Sequence, residues 1–354
     1  MIKRILWIDY TKAFLIYLVV LGHASLQSSV LLNFIYSFHV PAFFVISGYL
    51  DKRKKDEEFL STLKSSFKRI MVPYLFFNTI GLLTCWISPY MHPELYYNVD
   101  IIHSFLNAII GIILMDDYVT SYSFLPVVPL WFLVSLFTCK MLFAVSAKIG
   151  KCEDTKCKVF LWVVLTAVLV FFYNLDVHLF SLDSTVLAFV FYLGGYWLKS
   201  LNFNFEKIKK DWALFLLISF ICVCVLFFLS DVNGFVSIDG GNTGNNFGLF
   251  LVNACLGLFV IVLLSILVEL KFGQVKFLQT IGQNTLTILG LHYTFLYFLK
   301  LFLKLGGISI HPMSLFASLS ISVLAVAFCI PISQYLRNRI PWSVGLRKSN
   351  FSIN

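Results

Sequence analysis

Long apolar runs, most of them close to a bilayer's width and separated by short polar segments, set the rhythm of this chain. A helix needs about 20 mostly apolar residues to cross a membrane. Ten stretches fit or approach that need, near residues 10–28, 33–50, 71–90, 129–147, 159–175, 184–198, 212–230, 247–268, 284–303 and 314–333. The segment 101–115, IIHSFLNAIIGIILM, is apolar but shorter and is followed by the polar DDYVTSYSFLPVVP. It is expected as a helix lying in a long external loop. The pattern predicts an all-α, polytopic integral membrane protein with about ten transmembrane helices, forming a single transmembrane domain over residues 1–354.

Composition removes the main alternatives. The chain is 59% hydrophobic and 13% charged, against about 25% charged in soluble proteins, and its mean hydropathy is +0.86. An ordinary soluble enzyme, a disordered chain and a secreted disulfide scaffold are excluded. The net charge of +9 matters through its placement. Lys and Arg gather before the first apolar run (Lys3, Arg4), in segments 51–70, 148–158, 199–211 and 269–280, and in the C-terminal tail. The alternate loops carry Asp100, Asp116, Asp117, Asp176, Asp183, Asp231 and Asp239. Basic loops stay on the cytoplasmic side, so both termini are expected there, with an even number of helices. A nucleic-acid partner would need the basic groups gathered on a soluble face, and none is expected. The cysteines lie mostly in apolar runs and read as free thiols. No metal-ligand pattern is evident. The loop IDGGNTGNNFG at 238–248 reads as a flexible external linker.

Ionisable groups inside a membrane are costly and tend to be functional. The first run, WIDYTKAFLIYLVVLGHASLQ, holds Asp9, Lys12 and His23. At ~100° per residue, Lys12 and His23 fall about 20° apart around the axis, with Asp9 about 40° from His23 on the other side. All three share one stripe. A rise of ~1.5 Å per residue separates Lys12 from His23 by about 16 Å along the axis, so they serve different parts of an elongated ligand or separate purposes. Asp9 and Lys12 can also simply pair, being three residues apart. The second run, NFIYSFHVPAFFVISGYL, holds His39, Pro41, Ser47 and Gly48. Pro41 is expected to disrupt the helix just after His39. That break would expose backbone groups to a cavity, or leave them for His39 to satisfy. His292 follows Asn284 and Gly290 in the ninth run. It can line the same cavity or bond a neighbouring helix.

RILWIDYTKAFLIYLVVLGH and IYSFHVPAFFVISGYL, followed by FKRIMVPYLFF at 67–77, PLWFL at 129–133, FYLGGYWL at 191–198 and IGQNTLTILGLHY at 281–293, resemble the membrane-bound acyltransferase-3 family. The nearer likeness is to its fucose 4-O-acetylase-like branch. The family's basic residue, ten residues, then His is met by Lys12 and His23. The likeness spans nearly the whole chain and is most specific in the first 75 residues. Longer family members append an esterase-like domain, which is not expected here because the chain ends soon after its tenth apolar run.

The resemblance implies transfer of an acyl group, usually acetyl, from cytoplasmic acetyl-CoA or another acyl-CoA to a hydroxyl of a cell-surface glycan or its lipid-linked precursor, in a bacterial plasma membrane. CoA carries phosphates, which Lys and Arg bind through charge-assisted hydrogen bonds. Lys68 and Arg69, where the family motif falls, and Lys12 are the candidate donor-binding residues. A sugar hydroxyl needs a base during attack, and histidine suits that task. His23 is the candidate catalytic base. An acyl-histidine intermediate is the alternative route. Asp9, His39, Ser47 and His292 are candidate cavity-lining residues, and no metal is expected. The competing class is a transporter or flippase of a lipid-linked sugar or small solute, which would favour related halves or paired broken helices. Neither is visible.

Overall fold

A computed structural model describes residues 5–24, 26–52, 58–85, 101–115, 130–150, 181–199, 205–307 and 313–346, together with Lys156, Phe160 and Val164. Fourteen α-helices carry the described chain: α1 Leu6–His23, α2 Ser29–Tyr36, α3 His39–Tyr49, α4 Phe59–Ser66, α5 Val72–Cys85, α6 Ile101–Leu114, α7 Trp131–Gly150, α8 Leu182–Leu198, α9 Phe205–Lys210, α10 Trp212–Asn233, α11 Phe247–Phe272, α12 Lys276–Gln283, α13 Thr285–Leu305 and α14 Leu315–Arg339. Among the described residues there is no β-strand. Seven helical segments there are long and apolar enough to cross a membrane: α1, α2 with α3, most of α7, α10, α11, α13 and α14. Helix α8 and the Phe105–Leu114 part of α6 are apolar but shorter. The run expected at 71–90 gives α5, which follows a π-helical turn at Phe67–Met71. The run at 159–175 lies outside the described residues apart from Phe160 and Val164, as do Cys152, Cys157 and the polar stretch 116–129.

Two departures from a plain helix have local causes. The second apolar run breaks before His39, not after it: α2 ends at Tyr36, and His39 is the first residue of α3. Pro41 therefore falls in the first turn of α3, where a missing N–H costs nothing because those amides have no intrahelical acceptor. The Ile35 carbonyl takes the His39 side chain at 2.7 Å. The π-helical turn precedes Pro73, whose ring nitrogen cannot donate to the Arg69 carbonyl four residues back. A widened turn accommodates that lost bond.

The described chain forms two compact units. The first comprises Met1–Asp51, Phe191–Ile238 and Asn242–Pro331. In it α1 packs against α3, α11, α12 and α13. The N-terminal end of α1 is tied down. Its Trp7 N–H donates to Glu269 Oε2 at 2.7 Å, which answers one of the four amides a helix start leaves open and places negative charge at the positive dipole end. The Tyr10 hydroxyl donates to Gly273 O and accepts from Val275 N–H, each at 2.7 Å. Gly282 lies against the Asp9 backbone, where a side chain would collide.

The motifs ISGYL and LGGYWL meet in the same unit. Gly48 of α3 packs on the Tyr192 backbone and Gly195 of α8 on the Val45 backbone, so either added Cβ would strike a carbonyl oxygen. Small residues at a helix crossing allow this close approach inside a membrane. Tyr192 donates its hydroxyl to Asp51 Oδ2, and Lys199 donates to the Asp51 carbonyl at 2.7 Å. Helix α10 packs on α11 and α2 and leaves Leu216, Leu217, Phe220, Ile221 and Phe228 exposed, as a lipid-facing helix does.

The segment after α10 is more ordered than an open linker. Asn233, fully buried, accepts Asn246 N–H at 2.8 Å and donates to Thr243 O at 2.9 Å. Asn245 N–H donates to the Asn233 carbonyl at 2.7 Å. One side chain thus winds 242–246 onto the end of α10, which corrects the flexible-linker expectation for that part.

The second unit comprises Lys52–Val190, Asp239–Gly241 and Ile332–Asn354. There the Tyr74 hydroxyl reaches Ile112 O at 3.3 Å, linking α5 to α6. Thr185 Oγ1 and Ser135 Oγ, both buried, meet at 3.1 Å and link α7 to α8.

Candidate functional site

The C-terminal end of α1 gathers the histidines. His23, half-buried, lies with its ring centroid 5.2 Å from that of His292 and 5.8 Å from that of Tyr293, both on α13. Tyr36 at the end of α2 bridges the other side, 6.5 Å from His23 and 5.0 Å from His39 between ring centroids. Gly22 makes room for it, since an added Cβ would stand 2.9 Å from Tyr36 Cε2. The breaks and turns of the chain build this group. Helix α1 ends at His23, α2 ends at Tyr36, and α3 begins at His39. The end of α1 thus meets the interior of α13 through His23, and Tyr36 joins it to the α2–α3 break.

Each imidazole is held in the same way. His23 Nδ1 is 2.8 Å from Val19 O, His39 Nδ1 is 2.7 Å from Ile35 O, and His292 Nδ1 is 2.9 Å from Ile288 O and 3.0 Å from Leu289 O. A carbonyl oxygen only accepts, so Nδ1 of each ring carries the hydrogen. Nε2 of each neutral ring then keeps its lone pair. That of His292 stands 3.4 Å from His23 Nδ1, facing the His23 N–H alongside Val19 O. Among the described residues nothing bonds Nε2 of His23. This ring is oriented at one nitrogen and available at the other, the arrangement a general base needs.

Lys300, two turns further along α13, donates to the His23 carbonyl at 3.4 Å. A cation there answers an open carbonyl at the negative end of the α1 dipole. Ser318 Oγ reaches the next carbonyl, Ala24 O, at 3.3 Å. Tyr36, Tyr293 and Lys300 were not singled out from the sequence. The one available signal was Lys300, an ionisable residue inside an apolar run.

The remaining candidates lie elsewhere. Lys12 Nζ pairs with Asp9 Oδ1 at 2.8 Å, about 16 Å below His23 along α1. The second Asp9 oxygen is buried without a partner among the described residues. Ser47 is half-buried on α3, about 12 Å along the axis from His39, so it does not join the histidines. Lys68 and Arg69 are exposed on the π-helical turn and belong to the second unit. Among the described residues no three His, Cys, Asp or Glu side chains are grouped as metal ligands. Cys139, Cys222, Cys224, Cys255 and Cys329 are free thiols.

Two of the comparisons with known proteins, with curated sequences and with solved structures, gave no significant match. The family comparison did: the acyltransferase-3 model, described as an acyltransferase domain, matches residues 5–333. The match runs through α1 with its histidine and through α13 with the second one. Together with the long apolar helices, it makes this chain a member of the acyltransferase-3 family and a multi-pass membrane acyltransferase.

Proposed function

We propose that the protein moves an acyl group, acetyl in the first instance, from cytoplasmic acyl-CoA to a hydroxyl of a cell-surface polysaccharide or its lipid-linked precursor. On this reading it is a ten-helix, single-domain protein of a bacterial plasma membrane, with both termini cytoplasmic. It belongs to the fucose 4-O-acetylase-like branch of its family. The observation that carries the catalytic assignment is the His23 ring, fixed through Nδ1 and backed by His292, with Nε2 left to act.

The step balances simply. His23 Nε2 takes the proton of the sugar hydroxyl as its oxygen attacks the thioester carbonyl carbon. A C–O bond forms, the C–S bond breaks, and the CoA sulfur leaves with the proton that His23 returns. While His23 is charged, Val19 O and His292 Nε2 both face its Nδ1–H and favour the imidazolium. His292 acts through His23 and is a positioning residue. Lys12 in the first unit, and Lys68 and Arg69 in the second, are each proposed as donor-binding residues. Lys12 keeps donors for that purpose, because an ammonium has three hydrogens and Asp9 takes one of them.

Purified protein given labelled acetyl-CoA and the glycan of its own host tests the reading. CoA release matched by label in the glycan is the expected result. Transport of the glycan without acyl transfer would refute it.

A further inference from the structure

We infer that the side-chain amide of Asn253 is a further catalytic group, donating its N–H to the acyl carbonyl oxygen as negative charge develops there during transfer. The inference rests on the acyl transfer reading above. Asn253 lies within α11 and is fully buried, yet neither Nδ2 nor Oδ1 has a partner among the described residues. Asp9 Oδ2, Thr62 Oγ1 and Thr294 Oγ1 are also buried without a partner among the described residues, but Asn253 is alone among them in having both atoms of an amide unpaired, and comparable side chains bond the carbonyl one turn back. Asn78 donates to Tyr74 O at 3.0 Å, Asn284 to Thr280 O at 2.7 Å, and Ser265 to Ile261 O at 2.7 Å. Asn253 has the same option and does not take it. Buried polar groups are paired in the great majority of cases, and a native exception points to strain, catalysis or a bound polar group.

Along the helix axes it lies level with His23. Helices α1 and α11 run antiparallel, with Glu269 at Trp7 and Ile261 in one apolar cluster with Leu15. From Ile261 to Asn253 is about 12 Å along α11, and from Leu15 to His23 is about 12 Å along α1, so the two residues reach the same depth. Asn253 shares a stripe with Phe250 and Gly257, one turn to either side. Phe250 packs edge-on against Phe191. Gly257 is filled by the ring of Phe38, the residue before His39. Asn253 is thus buried at the depth of His23, on a helix that packs beside α1. Transfer from a thioester creates an oxyanion at that level, and a preorganised amide N–H in a site shielded from water is worth roughly 10²–10³ in rate.

Asn253→Leu keeps the volume and removes the amide, and Asn253→Ala removes it without any risk of overpacking. The variants are read by melting temperature in detergent and by kcat and KM for acetyl-CoA with the host glycan. The expected result is a folded variant, with the Leu form melting at or above the wild type because no protein hydrogen bond is lost. Its kcat should fall about 10²–10³-fold with KM nearly unchanged. A folded variant with near-normal kcat, or one that changes KM alone, overturns the inference while leaving the acyl transfer reading intact. Melting of both variants well below the wild type also overturns it, because the amide is then structural. Absence of transfer by the wild type removes both.

Discussion

The two ends of α1 are both polar, and they use their polar groups in opposite ways. At the N-terminal end, Glu269 takes the Trp7 amide, Tyr10 both donates and accepts across to the α11–α12 connection, and Asp9 pairs with Lys12. Most of these groups are spent on other protein groups. At the C-terminal end, three imidazoles are each anchored at Nδ1 by a backbone carbonyl, and the anchor leaves Nε2 with its lone pair. An end most of whose groups have internal partners holds the helix in place. An end whose side chains are fixed but half-used is the one we propose for the chemistry. Ionisable groups in a membrane thus divide by what they still offer, and their mere presence does not distinguish the two ends.

Substitutions at the two ends should separate the roles. The largest effect belongs to His23→Ala, which should leave the protein inserted and folded while glycan acylation in cells falls by about 10²–10⁴-fold. Retention of acylation would place the chemistry on another residue, with His39 the first to examine. His292→Phe removes the ring nitrogen facing His23. One hydrogen bond to a charged group is worth about 1.5–3 kcal/mol, so kcat should drop about tenfold to a hundredfold. Gln at the same position, which keeps an acceptor, should recover part of it, whereas a merely space-filling role would favour Phe over Gln. Lys12→Met should raise the KM for acyl-CoA up to about fivefold, the ceiling for a solvent-screened contact, and leave kcat alone. An unchanged KM would reduce Lys12 to the partner of Asp9. The smallest effect is Glu269→Gln. It keeps an acceptor for the Trp7 amide but removes the charge, and should cost about 0.3–1 kcal/mol in thermal stability with no change in kcat. A loss of activity there would mean that the anchored end also takes part in transfer.

Much of this was legible in the chain itself. The apolar runs foretold α1, α10, α11, α13 and α14 because a span of fixed length leaves a fixed signature. His23 stood out as an intramembrane base on a polar stripe. His39 and His292 were readable as cavity candidates, yet their meeting with His23 was not, because α13 reaches α1 across more than two hundred residues and the facing side of a helix is set by its partners. The break at Ser37–Phe38 was misplaced for a physical reason. Pro41 signals a helix interruption wherever it falls, and only the backbone shows that it begins α3. Tyr36, Asn253 and Glu269 gave little warning, since a tyrosine or asparagine in an apolar run and a glutamate at its end are each common in structural roles.

On the proposed mechanism, His23 Nε2 takes the hydroxyl proton during transfer from acyl-CoA. Purified wild type and His23→Gln, compared with labelled acetyl-CoA and host glycan, test it most directly. Gln preserves hydrogen bonding and cannot accept the proton. The expected result is equal melting temperatures, equal binding of acetyl-CoA, and glycan labelling by the wild type alone, with equimolar CoA released. Labelling by His23→Gln at a rate near that of the wild type would contradict it.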